Sequence, residues 1–371
     1  MSAPMKLRLL RTFSGYNLQI SYTCYLSKID ANKSNYNERC YCTQRQKHES
    51  QEDKVKPPAR PRRFLLDKLI SFITTSSDKL EKKIPSVFQV YRTFKTGVSG
   101  FVSDSKDFYK ISTRLWSGES LEHFTRRELE LYRQFSKDLP VVGLIFVIVF
   151  APGGAAAFPL AYVFPRFLLS HHFWTSQQKE EFMKIAITKQ VNHYDNILDY
   201  MHLLSQHIET KATRDIVVGL ISKLDSNVPL RKDEILELLP LFAGKPFNTD
   251  CLSIRHSRHL SKSLRLSLRR KKLVKDALFL HFIDSAMSRE GTHSMTDEEV
   301  DRACCWRGLN PHGMWRQEKV QYLENWTQIS QVIHEQSISL LLHLPVLLSY
   351  CEPSNRELVA KHRNIKRGRI D

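Results

Sequence analysis

The stretch from Leu139 to Phe164, LPVVGLIFVIVFAPGGAAAFPLAYVF, runs for 26 residues without a charged side chain. About 20 apolar residues in a helix are enough to cross the hydrocarbon core of a bilayer. A core helix of this length normally keeps a polar face, and this stretch has none. It therefore predicts a transmembrane helix over residues 139–164, bracketed by Asp138 and Arg166. A buried core helix is the alternative.

Three helix-breaking residues, Pro152, Gly153 and Gly154, interrupt the middle of this predicted span. The backbone groups freed by such a break must be satisfied by a neighbouring helix, by water or by a local adjustment. Each half is too short to cross a bilayer alone. The pattern predicts either a kinked span or a segment that enters the membrane and returns.

The first 29 residues carry four basic side chains, at Lys6, Arg8, Arg11 and Lys28, and no acidic one. This composition is typical of a mitochondrial transit peptide, which we predict over residues 1–29. A basic segment without a targeting role is the alternative. Residues 30–63 are rich in polar and charged side chains and end in three prolines, which predicts a disordered linker.

The composition of the whole chain narrows the class of protein. The 371 residues include 56 Lys and Arg against 39 Asp and Glu, a formal net charge of +17, while the 42% hydrophobic content is ordinary for a folded chain. Wholesale disorder is therefore excluded. Seven cysteines are too sparse for a disulfide framework and lack the C-x-x-C spacing of a zinc site. We interpret them as small buried hydrophobic residues.

Apolar residues recur at helical spacing on both sides of the predicted span, and no alternating strand pattern competes with them. We predict an all-α fold: a single-pass membrane protein with a C-terminal helical bundle of seven or more helices. Residues 64–138 form a helical pre-membrane region, residues 165–350 the helical domain, and residues 351–371 a basic C-terminal tail. A disordered end is the alternative for that tail.

One segment of the helical domain is strongly basic: Cys251 to Lys275 contains nine Lys or Arg and no acidic residue. Leu260, Leu264 and Leu268 recur at four-residue steps, which predicts one helix with a buried leucine row and a cationic face. Such a face suits the phosphates of an RNA backbone or of acidic lipids. Without interleaved aromatic residues it predicts no sequence-specific nucleic-acid binding. A solvated face without a partner is the alternative. The candidate residues are Arg255, Arg258, Lys262, Arg265, Arg269, Arg270, Lys271, Lys272 and Lys275.

No catalytic motif is found: the chain lacks H-E-x-x-H, G-x-x-x-x-G-K-[ST], G-x-G-x-x-G and G-x-S-x-G. We therefore predict a protein that is not an enzyme and that has no catalytic residues, no cofactor and no metal site. His171 and His172, on adjacent helical positions, are not expected to share a metal. His256 and His259 have ligand-compatible spacing but lie in a cationic segment that would repel a metal ion.

Several blocks of sequence resemble one known family. They are TRRE at Thr125–Glu128, FPRFLLSHHFW at Phe164–Trp174, MTDEEVDRACCWRGLN at Met295–Asn310, LENWTQIS at Leu323–Ser330 and SLLLHLPVL at Ser339–Leu347. In this order around one span, they are similar to the core of the leucine-zipper and EF-hand-containing transmembrane (LETM) proteins of mitochondria. The resemblance covers roughly residues 97–350. No EF-hand loop or sustained heptad pattern follows, so it is nearest to short members without those modules.

The resemblance implies a mitochondrial inner-membrane protein whose helical, ribosome-binding-like domain faces the matrix. Family roles include ribosome association, cation/proton balance and respiratory maintenance. A scaffold that docks ribosomes, other mitochondrial proteins or acidic lipid needs nothing that the sequence lacks. A cation/proton exchange system is the alternative. Because the span contains no charged residue, exchange would require a homo-oligomer in which Asp138 and the Pro152–Gly154 break line a shared path.

Two indications of the orientation of the predicted span in the membrane disagree. Arg126, Arg127, Arg133 and Lys137 precede the predicted span, and by the positive-inside rule they would put the N-terminal side in the matrix. The family resemblance implies the opposite. Because long domains translocate largely regardless of charge, we follow the family topology.

Overall fold

A computed structural model describes residues 85–150 and 165–367. Every regular element in these two ranges is an α-helix or a short 3₁₀-helix, and neither range contains a strand. The prediction of an all-α protein is therefore confirmed. The predicted transit peptide, the predicted linker and the Pro152–Gly154 break lie outside the described residues.

The described residues divide into two compact units. The first comprises residues 85–109, 138–150 and 165–175, and the second comprises residues 110–137 and 176–367. The helices that enter the first unit are α1 (Pro85–Trp116), α2 (Arg126–Phe150), α3 (Pro165–Leu168) and a 3₁₀-helix (His171–Phe173).

The second unit is the helical domain. Its remaining elements are a 3₁₀-helix (Leu121–His123), α4 (Ser176–Val191), α5 (Tyr194–Ser205), α6 (Lys211–Asp225), α7 (Lys232–Leu236), α8 (Leu239–Ala243), α9 (Ile254–Ser263), α10 (Arg270–Glu290), α11 (Asp297–Trp306), α12 (Arg316–Gln331), a 3₁₀-helix (Glu335–Ser337), α13 (Ile338–Ser349) and α14 (Pro353–Arg367). The bundle predicted to hold at least seven helices is thus seen in this part of the chain.

The TRRE block starts α2 through a capping box. The Thr125 hydroxyl accepts the backbone N–H of Glu128 at 3.3 Å, and the Glu128 carboxylate accepts the Thr125 N–H at 2.9 Å. The helix then continues past Asp138, through Pro140, to Phe150. The first half of the predicted span is therefore a continuation of a helix that starts among charged residues.

Among the described residues, no single helix has both the length and the apolar composition needed to cross a membrane. One pair, Arg316–Gln331 with Glu335–Ser349, meets those two requirements jointly, with a 120° bend between its helices. The second half of the Leu139–Phe164 stretch lies outside the described residues. The single-pass arrangement stays a prediction.

Helix α13 forms the centre of the helical domain. Eleven of its twelve residues are buried, and it packs against α5, α8, α9, α10 and α12. Such a helix has no polar face because every side of it meets a neighbour. The residues after Cys351, predicted as a basic tail, form α14 as far as Arg367. Asn355 of this helix is fully buried, which excludes a disordered end for this part of the tail.

Helix α11 ends in a turn through Gly308, a residue in the left-handed region. The Leu309 N–H donates to the Cys304 carbonyl at 3.1 Å and the Gly308 N–H to the Cys305 carbonyl at 3.3 Å, the pair of bonds that defines a Schellman motif. Gly308 has φ +88°, and a Cβ there would overlap the Tyr194 hydroxyl and lie 2.9 Å from Pro345 Cβ. This turn ends α11.

We expect Gly308→Ala to lower the free energy of unfolding by more than the roughly 1–2 kcal/mol that a left-handed alanine costs, because the added methyl group also displaces Tyr194. Gly313→Ala is the matched control, since Gly313 has φ +77° and nothing within 4 Å of its Cβ position. Urea unfolding followed by helical circular dichroism measures both. Equal losses in the two variants would contradict the steric argument.

Candidate phosphate-binding surface and its buried support

The helical domain is built around a buried ion pair. Arg307, the residue that follows α11, donates from Nη2 at 2.5 Å and from Nε at 3.0 Å to Oδ1 of Asp284 on α10. Both side chains are almost completely shielded from solvent, at 0% and 1% exposure. A buried pair survives only when its remaining polar atoms are also satisfied.

That condition is met on the carboxylate side by α12. Oδ2 of Asp284 accepts the indole N–H of Trp326 at 2.9 Å and the hydroxyl of Ser330 at 2.8 Å. Arg307 donates a further bond from Nη1 to the Ala303 carbonyl at 2.9 Å. Three helices are therefore joined through one carboxylate.

The next residue joins three more helices. The carbonyl of Gly308 accepts from the Tyr194 hydroxyl on α5 at 2.8 Å, from Ser349 on α13 at 3.0 Å and from the Asn355 amide on α14 at 2.9 Å. We call Arg307 and Gly308 the RG hub, because Arg307 forms the ion pair and Gly308 provides this carbonyl.

Two of the sequence blocks that resemble the LETM family contribute to this network: Met295–Asn310 contains Arg307 and Gly308, and Leu323–Ser330 contains Trp326 and Ser330. Trp326 is fully buried, and so is Cys304; Cys305 is 3% exposed. Burial raises the pKa of the Cys305 thiol to about 11 and that of Cys304 further, so both stay protonated and act as apolar residues. The interpretation of this pair as small buried hydrophobic residues is confirmed.

The basic segment is not one helix, so that prediction was wrong. Helix α9 ends at Ser263, Arg265 adopts φ +55°, and α10 starts at Arg270. Leu260 and Leu264 are fully buried, but Leu268 is 60% exposed. The four-residue leucine repeat crosses a turn, and a left-handed residue inside it breaks the helical register.

The nine predicted basic residues fall into two groups. Arg270, Lys272 and Lys275 are half-buried. Arg270 reaches back to the carbonyls of Asp250, at 3.1 Å, and Leu252, so it holds the turn before α9. The other six are exposed and define what we call the basic face: Arg255, Arg258, Lys262, Arg265, Arg269 and Lys271.

The start of α10 is unusual for a helix N-terminus. Its N-cap residue, Arg269, provides no side-chain cap, and its first turn contains no acidic residue. Cations at this end oppose the helix dipole, whereas a bound anion would complement both the dipole and the cations. The arrangement suits phosphate groups.

Four histidines lie beneath the basic face in two contacting pairs. His256 and His343 approach at 3.1 Å between their Nε2 atoms, and His193 and His259 at 3.1 Å between their Nδ1 atoms. Tyr200 stacks on the His256 ring at 5.2 Å between ring centroids. His256 and His259 therefore belong to different pairs.

Burial holds three of these imidazoles, those of His193, His256 and His343, neutral. It lowers the pKa of His193 to about 4, with His259 as the second cause. Burial also lowers the pKa values of His256 and His343 well below the ordinary value, and for His256 the neighbouring His343 adds to the effect. Their contribution to stability is present above the unfolded pKa of about 6.5 and is lost as the pH falls.

Of the four span residues singled out from sequence, Asp138 alone lies within the described ranges. Its Oδ2 lies 2.7 Å from Nδ1 of His171. His171 and His172 do occupy adjacent helical positions, as predicted. They begin a 3₁₀-helix, and their ring centroids lie 3.9 Å apart.

The second unit is thus an all-helical domain that is organised by a buried ion pair and carries an exposed basic face. These features define the structural class of the protein. Residues 124–347, more than half of the chain, match the family model described as LETM1-like, RBD. The chain belongs to this family, and the resemblance found from sequence is confirmed.

Individual relatives agree with the family match. The chain is 29% identical to LETM1 domain-containing protein 1 of Xenopus tropicalis over 278 residues, which is 73% of this chain and 79% of that protein. It is 29% identical to the Homo sapiens protein of the same name over 299 residues, 76% of this chain and 82% of that protein. The mitochondrial proton/calcium exchanger protein of Drosophila melanogaster is 23% identical over 249 residues, 65% of this chain but 24% of that protein.

We expect Asp284→Asn to lower the free energy of unfolding by roughly 3–5 kcal/mol, because it leaves the Arg307 charge buried without a counter-ion. Glu298→Gln is the control: it removes an exposed ion pair with Lys179 at 3.5 Å, which is worth at most about 1 kcal/mol. Chemical unfolding of both variants measures the difference. A loss for Asp284→Asn as small as that for Glu298→Gln would refute the role of the hub.

We expect the free energy of unfolding to fall by about 1.4 kcal/mol per pH unit below pH 6.5 for each buried imidazole, since the unfolded chain takes up the proton first. Replacing His343 with Gln should reduce this slope by about one proton. The same replacement at exposed His207 should leave it unchanged. Unfolding curves between pH 7.5 and pH 5 supply the slopes, and identical slopes in all three proteins would exclude this origin.

Proposed function

We propose that this chain is a non-enzymatic scaffold of the mitochondrial inner membrane. In this proposal the helical domain docks the mitochondrial ribosome through the phosphates of its RNA, using the basic face on α9 and α10. Acidic lipid headgroups and other mitochondrial proteins are the alternative partners. The observation that carries the proposal is the cationic, uncapped start of α10 beside the exposed arginines of α9.

The chemistry of the basic face favours phosphate over base edges. Exposed Lys and Arg side chains contact a phosphate backbone without reading sequence, and their binding weakens steeply as salt rises. Helix α10, which carries part of the basic face, is anchored in the core because it also carries Asp284 of the buried ion pair. A rigid arrangement of charges loses less conformational entropy on binding than a mobile one.

Several observations support the cellular setting. The basic, acid-free composition of residues 1–29 is typical of import into mitochondria. The Leu139–Phe164 stretch has the length and apolarity of a membrane span. One relative in the fly is named as a mitochondrial protein. We place the helical domain on the matrix side, following the family resemblance, where mitochondrial ribosomes are found.

Cation/proton exchange is the second candidate, because the Drosophila relative is named as a proton/calcium exchanger. Within the described residues, Asp138 with its His171 contact is the ionisable group nearest the start of the predicted span. Exchange would need several chains to surround a path. It predicts ion flux in proteoliposomes that is unaffected when the basic face is neutralised.

The test is co-sedimentation of the full chain, in detergent micelles, with mitochondrial ribosomes at increasing salt. We expect the triple variant Lys262→Gln, Arg269→Gln, Lys271→Gln, at three exposed positions of the basic face, to bind more weakly at every salt concentration. The slope of log affinity against log salt should fall by roughly 2 to 3, as expected for three lost phosphate contacts. Arg270 stays in place because it holds the local fold.

The matched control removes three exposed charges elsewhere: Lys189→Gln, Lys211→Gln, Lys361→Gln. Both variants have the same net charge, so a difference between them reports the location of the charge. Vesicles of acidic and of neutral phospholipid form a second arm. Loss of vesicle binding alone would favour lipid as the partner, and equal binding of both variants to ribosomes and vesicles would overturn the proposal.

A further inference from the structure

Three potential metal ligands from distant parts of the sequence converge in the first unit. Asp104 lies on α1, whereas His171 and His172 start the 3₁₀-helix that follows α3. One carboxylate oxygen of Asp104 and one ring nitrogen of each histidine lie within 4.8 Å of one another. The three residues are half-buried, so the cluster is enclosed but remains in contact with solvent.

Hydrogen-bond partners orient the imidazoles. His172 Nε2 lies 2.8 Å from Oδ2 of Asp104, and its Nδ1 lies 3.2 Å from the Ser170 hydroxyl. Asp138 contacts Nδ1 of His171 at 2.7 Å, which leaves Nε2 of that ring as the site of its lone pair. A carboxylate on the far nitrogen of a histidine is the usual second partner of a metal ligand, because it sets the tautomer and makes the ring a better donor.

The backbone of α1 is shaped to admit the histidines. A Cβ at Gly97 would lie 2.8 Å from the His172 carbonyl oxygen and 2.6 Å from the ring of Phe173. A Cβ at Gly100, one turn later, would lie 3.4 Å from Cδ2 of His172. Phe101 adds an edge-to-face contact with the same ring at 5.7 Å. The position of His172 is therefore set by packing as well as by hydrogen bonds.

We propose that Asp104, His171 and His172 form a binding site for a divalent transition-metal ion, Zn²⁺ in the first instance, with Asp138 as a positioning residue. Two imidazoles and one carboxylate form a donor set that zinc accepts, with water in the fourth position. Ca²⁺ and Mg²⁺ prefer oxygen donors and are disfavoured here. The ion would replace the direct contact between His172 and Asp104.

Charge supports a cation at this place. Two carboxylates, those of Asp104 and Asp138, contact the imidazoles of this cluster, and a divalent cation would offset their charge. The ion would bridge α1, before the predicted span, to the segment directly after it. Such a bridge fastens two segments more than sixty positions apart in the sequence, as the 68-residue separation of Asp104 and His172 shows.

The experiment uses the full chain, purified in detergent without a polyhistidine tag and stripped of metal by a chelator. We expect saturable binding of one Zn²⁺ per chain in a competition titration against a chromophoric chelator. Bound Co²⁺ should show the d–d absorption of a low-symmetry site without a thiolate charge-transfer band. That spectrum of the unaltered protein does not depend on the folding of any variant.

Variants then assign the ligands. His172→Gln, His171→Gln and Asp104→Asn should each weaken Zn²⁺ binding by more than the roughly 10- to 100-fold that loss of an orienting partner costs, whereas Asp138→Asn should cause a loss within that range. The controls are Asp107→Asn, on the same helix, and His207→Gln, at an exposed position. Both should bind like the unaltered chain.

Two results would overturn the proposal. One is the absence of stoichiometric Zn²⁺ or Co²⁺ binding by the unaltered chain, which would leave the cluster as carboxylate–imidazole hydrogen bonds only. The other is a thiolate band in the Co²⁺ spectrum, or unchanged affinity in a folded His172→Gln variant, either of which would move the metal to other residues.

Discussion

The burial of one charge pair dominates the helical domain. Arg307 and Asp284 lose nearly all contact with water, a cost that their attraction offsets only if the geometry is good and every remaining polar atom finds a partner. The required partners come from separate helices: the indole of Trp326, the hydroxyl of Ser330 and the carbonyl of Ala303. The charge pair therefore dictates how α10, α11 and α12 meet. Because Gly308 follows directly, the same short turn also receives α5, α13 and α14.

This arrangement links the interior of the domain to its surface. Helix α10 carries Asp284 in its second half and begins at the basic face in its first turn, so the ion pair that organises the core also holds the cationic helix start in position. Helix α9 is held in turn by two histidine contacts, His256 with His343 of α13 and His259 with His193. The residues of the basic face therefore lie on or beside α9 and α10, two helices whose other sides pack against the core.

Much of this could be predicted from the sequence, because the deciding interactions are local. Helical periodicity indicated the all-α fold, and α11 shows how local the signals are: Thr296 caps its start, three acidic residues fill its first turn, and a glycine follows Arg307 at its end. The prediction of a single helix for the basic segment was wrong. Leucines at four-residue steps lie on one face only if the backbone stays helical throughout. Arg265 adopts a left-handed conformation and breaks that register. The sequence gives no sign of it, because no glycine or asparagine stands at that position. The sequence also did not predict that Arg270 donates to two backbone carbonyls, because this contact depends on where the turn before α9 folds back.

The sequence by itself determined the class of the protein: its helical content, its basic character, its long apolar stretch and its family blocks, all of which are properties of composition, spacing or order along the chain. Tertiary structure alone decided which side chains meet. Asp284 and Arg307 are 23 positions apart, Asp104 and His172 are 68 apart, and His256 and His343 are 87 apart. Periodicity shows which face of a helix turns inward, but it does not show which other helix lies opposite. The partners of a buried charge or imidazole are set by helix packing, and so is the grouping of two histidines with an aspartate from a distant helix.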